Sequence, residues 1–215
     1  MKNSRKYWAS MKTKFQYILS MDPSGNYMEG KGTTGWVLID KDENILDTGI
    51  IKAANFTRPE EFWNAHKNLI EYYNNKYDTA MIVVLEDYIL YANRSKSQTY
   101  SRMETCRLLG MLQWFCWSIK QPYALQRATE VKSRWADDIL EYDGIIHKEG
   151  KLWVHTASGI YLNPEHKRDA FRHAMHYANC RNQHQTPKNT IKRGAFGNQR
   201  SNYGSAAQFS YHTKW

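Results

Sequence analysis

Apolar and polar positions along the chain alternate in two periods, and the switches between them mark out the elements. The segment Phe15-Gln-Tyr-Ile-Leu-Ser-Met21 reads as a buried strand that stops at Asp22-Pro23, a turn signal. A glycine-containing loop leads to a second strand, Thr33-Thr-Gly-Trp-Val-Leu-Ile39, and the polar cluster Asp40 to Asn44 turns the chain into a third strand near Ile45 to Lys52. Pro59 then opens a helix, because Phe62, Trp63, His66, Leu69, Ile70 and Tyr73 recur at helical spacing. The short apolar run 79–85 has the character of a strand covered on both faces, and it ends at Glu86. A polar loop over 93–98 precedes a long helix, 99–120, whose apolar positions include Leu108, Leu109, Met111, Leu112, Phe115 and Ile119. A strand at 123–126, a helix at 130–140 and a hairpin within 141–162, punctuated by Gly144, Gly150 and Gly159, come next. Asn163-Pro164-Glu165 predicts a helix start, with Asn as N-cap, Pro in the first turn and an acid at the positive end of the dipole; this last helix runs to about 179.

Three antiparallel strands followed by alternating helices and strands predict an α/β domain, a mixed sheet with helices on both faces. The chain of 215 residues is ample for one such domain and short for two. Charge adds a second layer. Lys and Arg number 30 against 21 Asp and Glu. Residues 1–14 carry five of the basic residues and 181–215 carry six, with no acid in either, so the stretch between them is close to neutral. Basic ends around a neutral core are what binding to a phosphate backbone uses. The expected organisation is a basic N-terminal extension (1–14), a folded domain (15–180) and a basic tail (181–215), polar and without periodicity, expected to be disordered.

Several classes drop out. No run of about 18 apolar residues is present, and no apolar signal stretch follows the basic start, so a soluble, cytoplasmic protein without membrane contact is expected. Cys106, Cys116 and Cys180 are odd in number and lack C-x-x-C spacing, which argues against a disulfide framework or a zinc site. Gly25-x-x-x-x-Gly30-Lys31 imitates a phosphate-binding P-loop, but Gly32 lacks the hydroxyl that binds Mg²⁺ and a strand follows where a helix is required.

Chemistry concentrates on three acids: Asp22 ends the first strand, Glu86 ends the apolar strand, and Asp169 lies in the first two turns of the last helix. Active sites of open sheets lie beyond the carboxyl ends of parallel strands, so Asp22 and Glu86 meet if their strands pair. A carboxylate abutting buried apolar residues is costly without a cation, and divalent metals both remove that cost and activate water against a phosphodiester. His166 stands three residues before Asp169 and His173 four after it, on the same side of the helix; Ala170, Ala174 and Ala178 form a small-residue stripe that lets the helix approach the sheet.

These strings resemble a family. Ile18-Leu-Ser-Met-Asp22-Pro-Ser-Gly and Gly32-Thr-Thr-Gly35-Trp36 are similar to the opening of RuvC-type Holliday-junction resolvases, of the ribonuclease-H-like superfamily. Val84-Leu-Glu86-Asp-Tyr88 looks like the second motif of that family, and His166-Lys-Arg-Asp169-Ala170-x-x-His-Ala174 like its closing motif, where members carry Asp or His at the first position. Arg127-Ala-Thr-Glu-Val131-Lys132 resembles the segment before the penultimate helix, with Lys132 matching a functional lysine. The resemblance spans 15–180; the loop between Asp22 and Gly35 is longer than the pattern, and 141–162 looks like an insertion. A short chain with a basic tail looks most like a bacteriophage member.

The resemblance implies a ribonuclease-H-like nuclease domain in which Asp22, Glu86, Asp169 and His166 hold two Mg²⁺ ions (Mn²⁺ being the alternative), with Lys132 stabilising charge on the scissile phosphate. The substrate that the resemblance implies is four-way or otherwise branched DNA, nicked to leave 5′-phosphates. Symmetric cleavage needs a homodimer. The 99–120 helix, with Met103, Leu112, Trp114, Phe115 and Trp117, is either that interface or a helix buried in the monomer. Tyr88 and Tyr91, interleaved with Arg94 and Lys96, are candidates for stacking on unpaired bases and holding phosphates, the tyrosines having core packing as the alternative. Two other readings stay open: a ribonuclease H or broad flap nuclease of the same fold, and a non-catalytic DNA-binding protein.

Overall fold

The computed structural model describes residues 15–89 and 103–179. Strands β1 (Tyr17–Asp22), β2 (Thr33–Asp40), β3 (Ile45–Lys52), β4 (Met81–Asp87) and β5 (Tyr123–Arg127) form a single sheet in the order β3-β2-β1-β4-β5. The pairs β1–β2 and β2–β3 are antiparallel, whereas β1–β4 and β4–β5 are parallel. This is the mixed sheet the strand pattern predicts. The two most apolar strands, β1 and β4, take the central places, and residues 18–22 and 81–85 are buried throughout.

Alternation along the strands divides the core in two. Leu19, Met21, Met81, Val83 and Leu85 face α1 (Pro59–Tyr77) and α2 (Glu104–Ser118). Ile18, Ile82, Val84 and Ala124 face the other side, where α3 (Ala128–Arg134), α4 (Asp137–Tyr142) and α5 (Glu165–Asn179) lie. A side chain two residues on points to the same face, so Asp22 follows Ile18, Glu86 follows Val84, and both emerge toward α5. The small-residue stripe does what its spacing suggests: Ala170 and Ala174 are fully buried, and residues 169–177 of α5 are buried on every side.

The closest approach is at Gly35 of β2. A Cβ there would lie 2.1 Å from the backbone carbon of His166, so the first turn of α5 rests on a bare strand backbone. Opposite, the loop after β1 sits on the start of α2: Gly25 N–H donates to Thr105 Oγ1 (3.1 Å) and Met28 N–H to Glu104 Oε2 (3.1 Å). The P-loop mimic is thus a connector into β2.

Three expectations need correction. The helix expected over 130–140 is two helices, α3 and α4. Trp135 leaves helical geometry, its ring buried and its Nε1–H donating to His176 Nδ1 (3.3 Å), while Asp137 restarts the chain within reach of Arg168 and Arg172. Asn163 does not cap α5, because its Oδ1 accepts the Trp153 N–H (2.6 Å) and fixes the 141–162 segment instead. Within the described residues, the long helix begins only at Glu104, after the left-handed Met103 (φ 53°). The 141–162 segment contains the expected hairpin, β6 (Ile146–Glu149) and β7 (Leu152–His155). The basic ends and Cys180 lie outside the described residues. Cys106 and Cys116 are free thiols; burial pushes that of Cys116 up to about 12.

Candidate active site

Register brings the acids together. Met21 pairs with Leu85, so the next residues along the parallel strands are Asp22 and Glu86. Asp169, one turn into α5, hangs over the same strand ends. Ligand oxygens of Asp22, Glu86 and Asp169 lie within 4.8 Å of one another, with Asp22 and Asp169 buried and Glu86 partly so. Three non-contiguous elements converge on one small volume of negative charge.

Each carboxylate is held by a donor from α5. His166 Nδ1 lies 2.6 Å from Asp22 Oδ2. His173 Nε2 lies 3.0 Å from Glu86 Oε2, and its Nδ1 2.9 Å from Gln126 Oε1 on β5. Arg172, buried, donates to Asp169 Oδ1 and with its other terminal nitrogen to Asp137, which also pairs with Arg168 (2.9 Å). Lys132 Nζ completes the shell 2.8 Å from Asp169 Oδ2.

The electrostatics follow from burial and crowding. Burial raises the Asp22 pKa above the usual carboxylate range; the His166 bond works against this, and the charges of Glu86 and Asp169 add to it. The Asp22 bond raises the His166 pKa against the effect of its own burial. Burial pulls Lys132 down, but its bond to Asp169 and the field of all three acids together hold it above the ordinary lysine value. Such a site stabilises cations. The oxygen donor set suits Mg²⁺ or Mn²⁺ rather than a soft metal, and the spread of 4.8 Å fits ligands of one ion or of a close pair.

Of the residues singled out from the sequence, Asp22, Glu86, Asp169, His166 and Lys132 are brought together. His166 reaches the carboxylate group through Asp22. Tyr88 is partly buried against the core under α1 and α2, while Tyr91, Arg94 and Lys96 lie outside the described residues. Gln126, Arg172 and Asp137 are neighbours that strand and helix patterns did not reveal. His173 was placed on the right side of its helix, but its partner was not foreseeable without the β4–β5 register, which sets Gln126 beside Glu86.

No family model matches the sequence, and no curated protein matches it. The fold does match solved structures. Thermus thermophilus RuvC in complex with a Holliday junction substrate superposes with a TM-score of 0.51 at 14% identity, covering 76% of this chain and 92% of that one. A second T. thermophilus RuvC structure gives 0.48 at 17% identity, covering 75% and 93%. With its sheet order, its flanking helices and the superposition at a TM-score of 0.51, the chain has the ribonuclease-H-like fold of RuvC.

Proposed function

We propose that this protein is a metal-dependent endonuclease that cleaves four-way or branched DNA. The observation that carries the reading is the convergence of Asp22, Glu86 and Asp169 at the carboxyl ends of β1 and β4 under α5. The donor set fits hard divalent ions, with His166 as the proposed fourth ligand. Bound Mg²⁺ would supply an activated water and charge stabilisation at the leaving 3′ oxygen.

The remaining chemistry belongs to the chain. Asp22 and Asp169, buried and fixed from α5, present their charge without the reorganisation a mobile side chain would need. Lys132 is half-exposed and its ammonium is paired with the buried Asp169, which puts a positive charge beside the acids where a scissile phosphate would meet it. Branched DNA as substrate is supported by the fold shared with RuvC, whose structure holds a Holliday junction substrate, and by the basic ends of the chain. Two-sided cleavage requires a homodimer. Trp114 and Trp117, 63% and 66% exposed on α2, are the proposed seam. The other face of that helix is buried in the monomer through Leu108, Leu112 and Phe115, which leaves the exposed face free for a second copy.

The test is a panel of labelled four-way junction, flap and RNA–DNA hybrid incubated with purified protein and Mg²⁺. Symmetric nicks in the junction are expected. Preference for the hybrid would make the protein a ribonuclease H, and binding without cleavage of any substrate would make it a non-catalytic DNA-binding protein.

A further inference from the structure

We infer that His173, backed by Gln126, is the positioning residue for Glu86, setting the orientation in which this carboxylate meets a metal. The inference rests on the metal-centre reading above and goes beyond it, because His173 is neither an acid nor at the strand ends.

Glu86 differs from the other two acids. It is the least buried of the three and sits at the end of β4 with Asp87 and Tyr88 following, where a side chain with three torsions has several orientations to choose from. Ordering it requires a partner that is itself fixed. His173 is fully buried, in the middle of α5, between alanines at 170 and 174 and within the region of the helix enclosed on all sides. Its Nε2 lies 3.0 Å from Glu86 Oε2 and its Nδ1 2.9 Å from Gln126 Oε1. Gln126 is 1% exposed and is the β5 residue in register with Glu86. Acid and amide thus stand side by side on neighbouring strands, with one imidazole spanning both.

Donor accounting gives the direction of the bond. An ionised carboxylate only accepts, so His173 Nε2 must carry a hydrogen. Gln126 can serve the other nitrogen in either orientation: Oε1 accepts from an Nδ1–H, or a turned amide donates its N–H to a bare Nδ1. Gln126 Nε2 has no partner among the described residues, so turning the amide gives that N–H an acceptor. In both arrangements the Nε2–H points at Glu86 Oε2. The bond to His173 engages Oε2, and a carboxylate oxygen of Glu86 lies within 4.8 Å of ligand oxygens of Asp22 and Asp169. An outer partner of this kind fixes ligand geometry, and its removal typically lowers metal affinity about 10–100-fold.

The experiment compares Mn²⁺ binding, by electron paramagnetic resonance titration, in the wild type, His173→Leu, His173→Gln and Asp22→Asn, with urea melts reporting the fold. The expected result is a loss of about 10–100-fold in affinity for His173→Leu. His173→Gln, whose amide N–H can still reach Glu86, should recover most of it. Equal affinity in the wild type and a folded His173→Leu overturns the inference while leaving the metal centre intact, as does His173→Gln binding no better than His173→Leu. If the wild type binds no Mn²⁺, or Asp22→Asn binds it as well as the wild type, the metal-centre reading fails and takes this inference with it. Should His173→Leu not fold, Gln126→Leu removes the support without cutting the bond, and a measurable loss, smaller than the about 10–100-fold expected for losing the bond itself, is expected. Unchanged affinity in that variant is again contrary to the proposal.

Discussion

Substituting Gly35 by Ala puts the packing that assembles the site to a direct test. The added Cβ would lie 2.1 Å from the carbonyl carbon of His166, 2.2 Å from its oxygen and 2.4 Å from the nitrogen of Lys167. All three are backbone atoms, so no side-chain rotation relieves the clash. Ordinary contact begins at 3.4 Å, so α5 and β2 must separate by about 1.3 Å. The His166–Asp22 bond, 2.6 Å long, runs from the same turn of α5 to β1, where Asp22 is the register partner of Gly35, so it crosses the same separation of helix and sheet. Widening it by that amount stretches the bond to as much as about 3.9 Å, past hydrogen-bond range, and carries Asp169 away from Asp22 and Glu86. Overpacking of this kind costs about 1–3 kcal/mol. A displacement of about 1 Å at a catalytic constellation costs on the order of 100-fold in rate. The assay is a urea melt together with the rate of Mg²⁺-dependent junction cleavage. Gly110→Ala is the control: open space surrounds that position in α2, and the change should be neutral or stabilise by up to about 1 kcal/mol. A Gly35→Ala protein with wild-type melting midpoint and wild-type rate would refute the reasoning.

Three other outcomes are expected. His66 is fully buried between Phe62 O (2.7 Å) and Thr34 Oγ1 (2.8 Å), and burial lowers its pKa from 6.5 to about 4. The unfolded chain therefore binds a proton that the folded one refuses, and stability present above pH 6.5 is lost as pH falls toward 4. The loss from this residue is about 2 kcal/mol by pH 5, and His66→Gln should flatten the pH dependence of the urea midpoint. Arg172→Met takes the buried guanidinium from both Asp169 and Asp137 and should cost about 3 kcal/mol of stability, read in the same melt; a change under about 0.5 kcal/mol would contradict its pairing role. On the proposed seam, the wild type is expected to sediment as a dimer and the double variant Trp114→Ser, Trp117→Ser as a folded monomer, because both rings are exposed in the single chain.

Much of this arrangement was legible from period and position. The apolar runs marked β1 as a buried strand and β4 as one covered on both faces, and their terminal acids were neighbours once the strands paired in parallel. The spacing of His166, Asp169 and His173 put all three on one side of α5, and the alanine stripe predicted its close approach. What stayed hidden depends on contacts between elements distant in sequence. Gln126 became a site neighbour only through the β4–β5 register. Nothing in the sequence pattern joins Arg172 to Asp137, yet α5 is enclosed on all sides and the two pair there. The same pairing explains the break near Trp135, since helical periodicity across 130–140 carries no signal that Asp137 is drawn to α5. Asn163 had the residue type of a helix cap, but a backbone N–H of the hairpin competed for it and won.

The central claim is that three carboxylates from β1, β4 and α5 form one metal-dependent phosphodiesterase site. The direct measurement is Mg²⁺-dependent cleavage of a labelled four-way junction by the wild type and by Asp22→Asn, with junction binding followed in parallel. Cleavage by the wild type that vanishes on chelation, and that falls by at least about 1,000-fold in Asp22→Asn while junction binding persists, is the predicted result. Undiminished Mg²⁺-dependent cleavage by Asp22→Asn would contradict it.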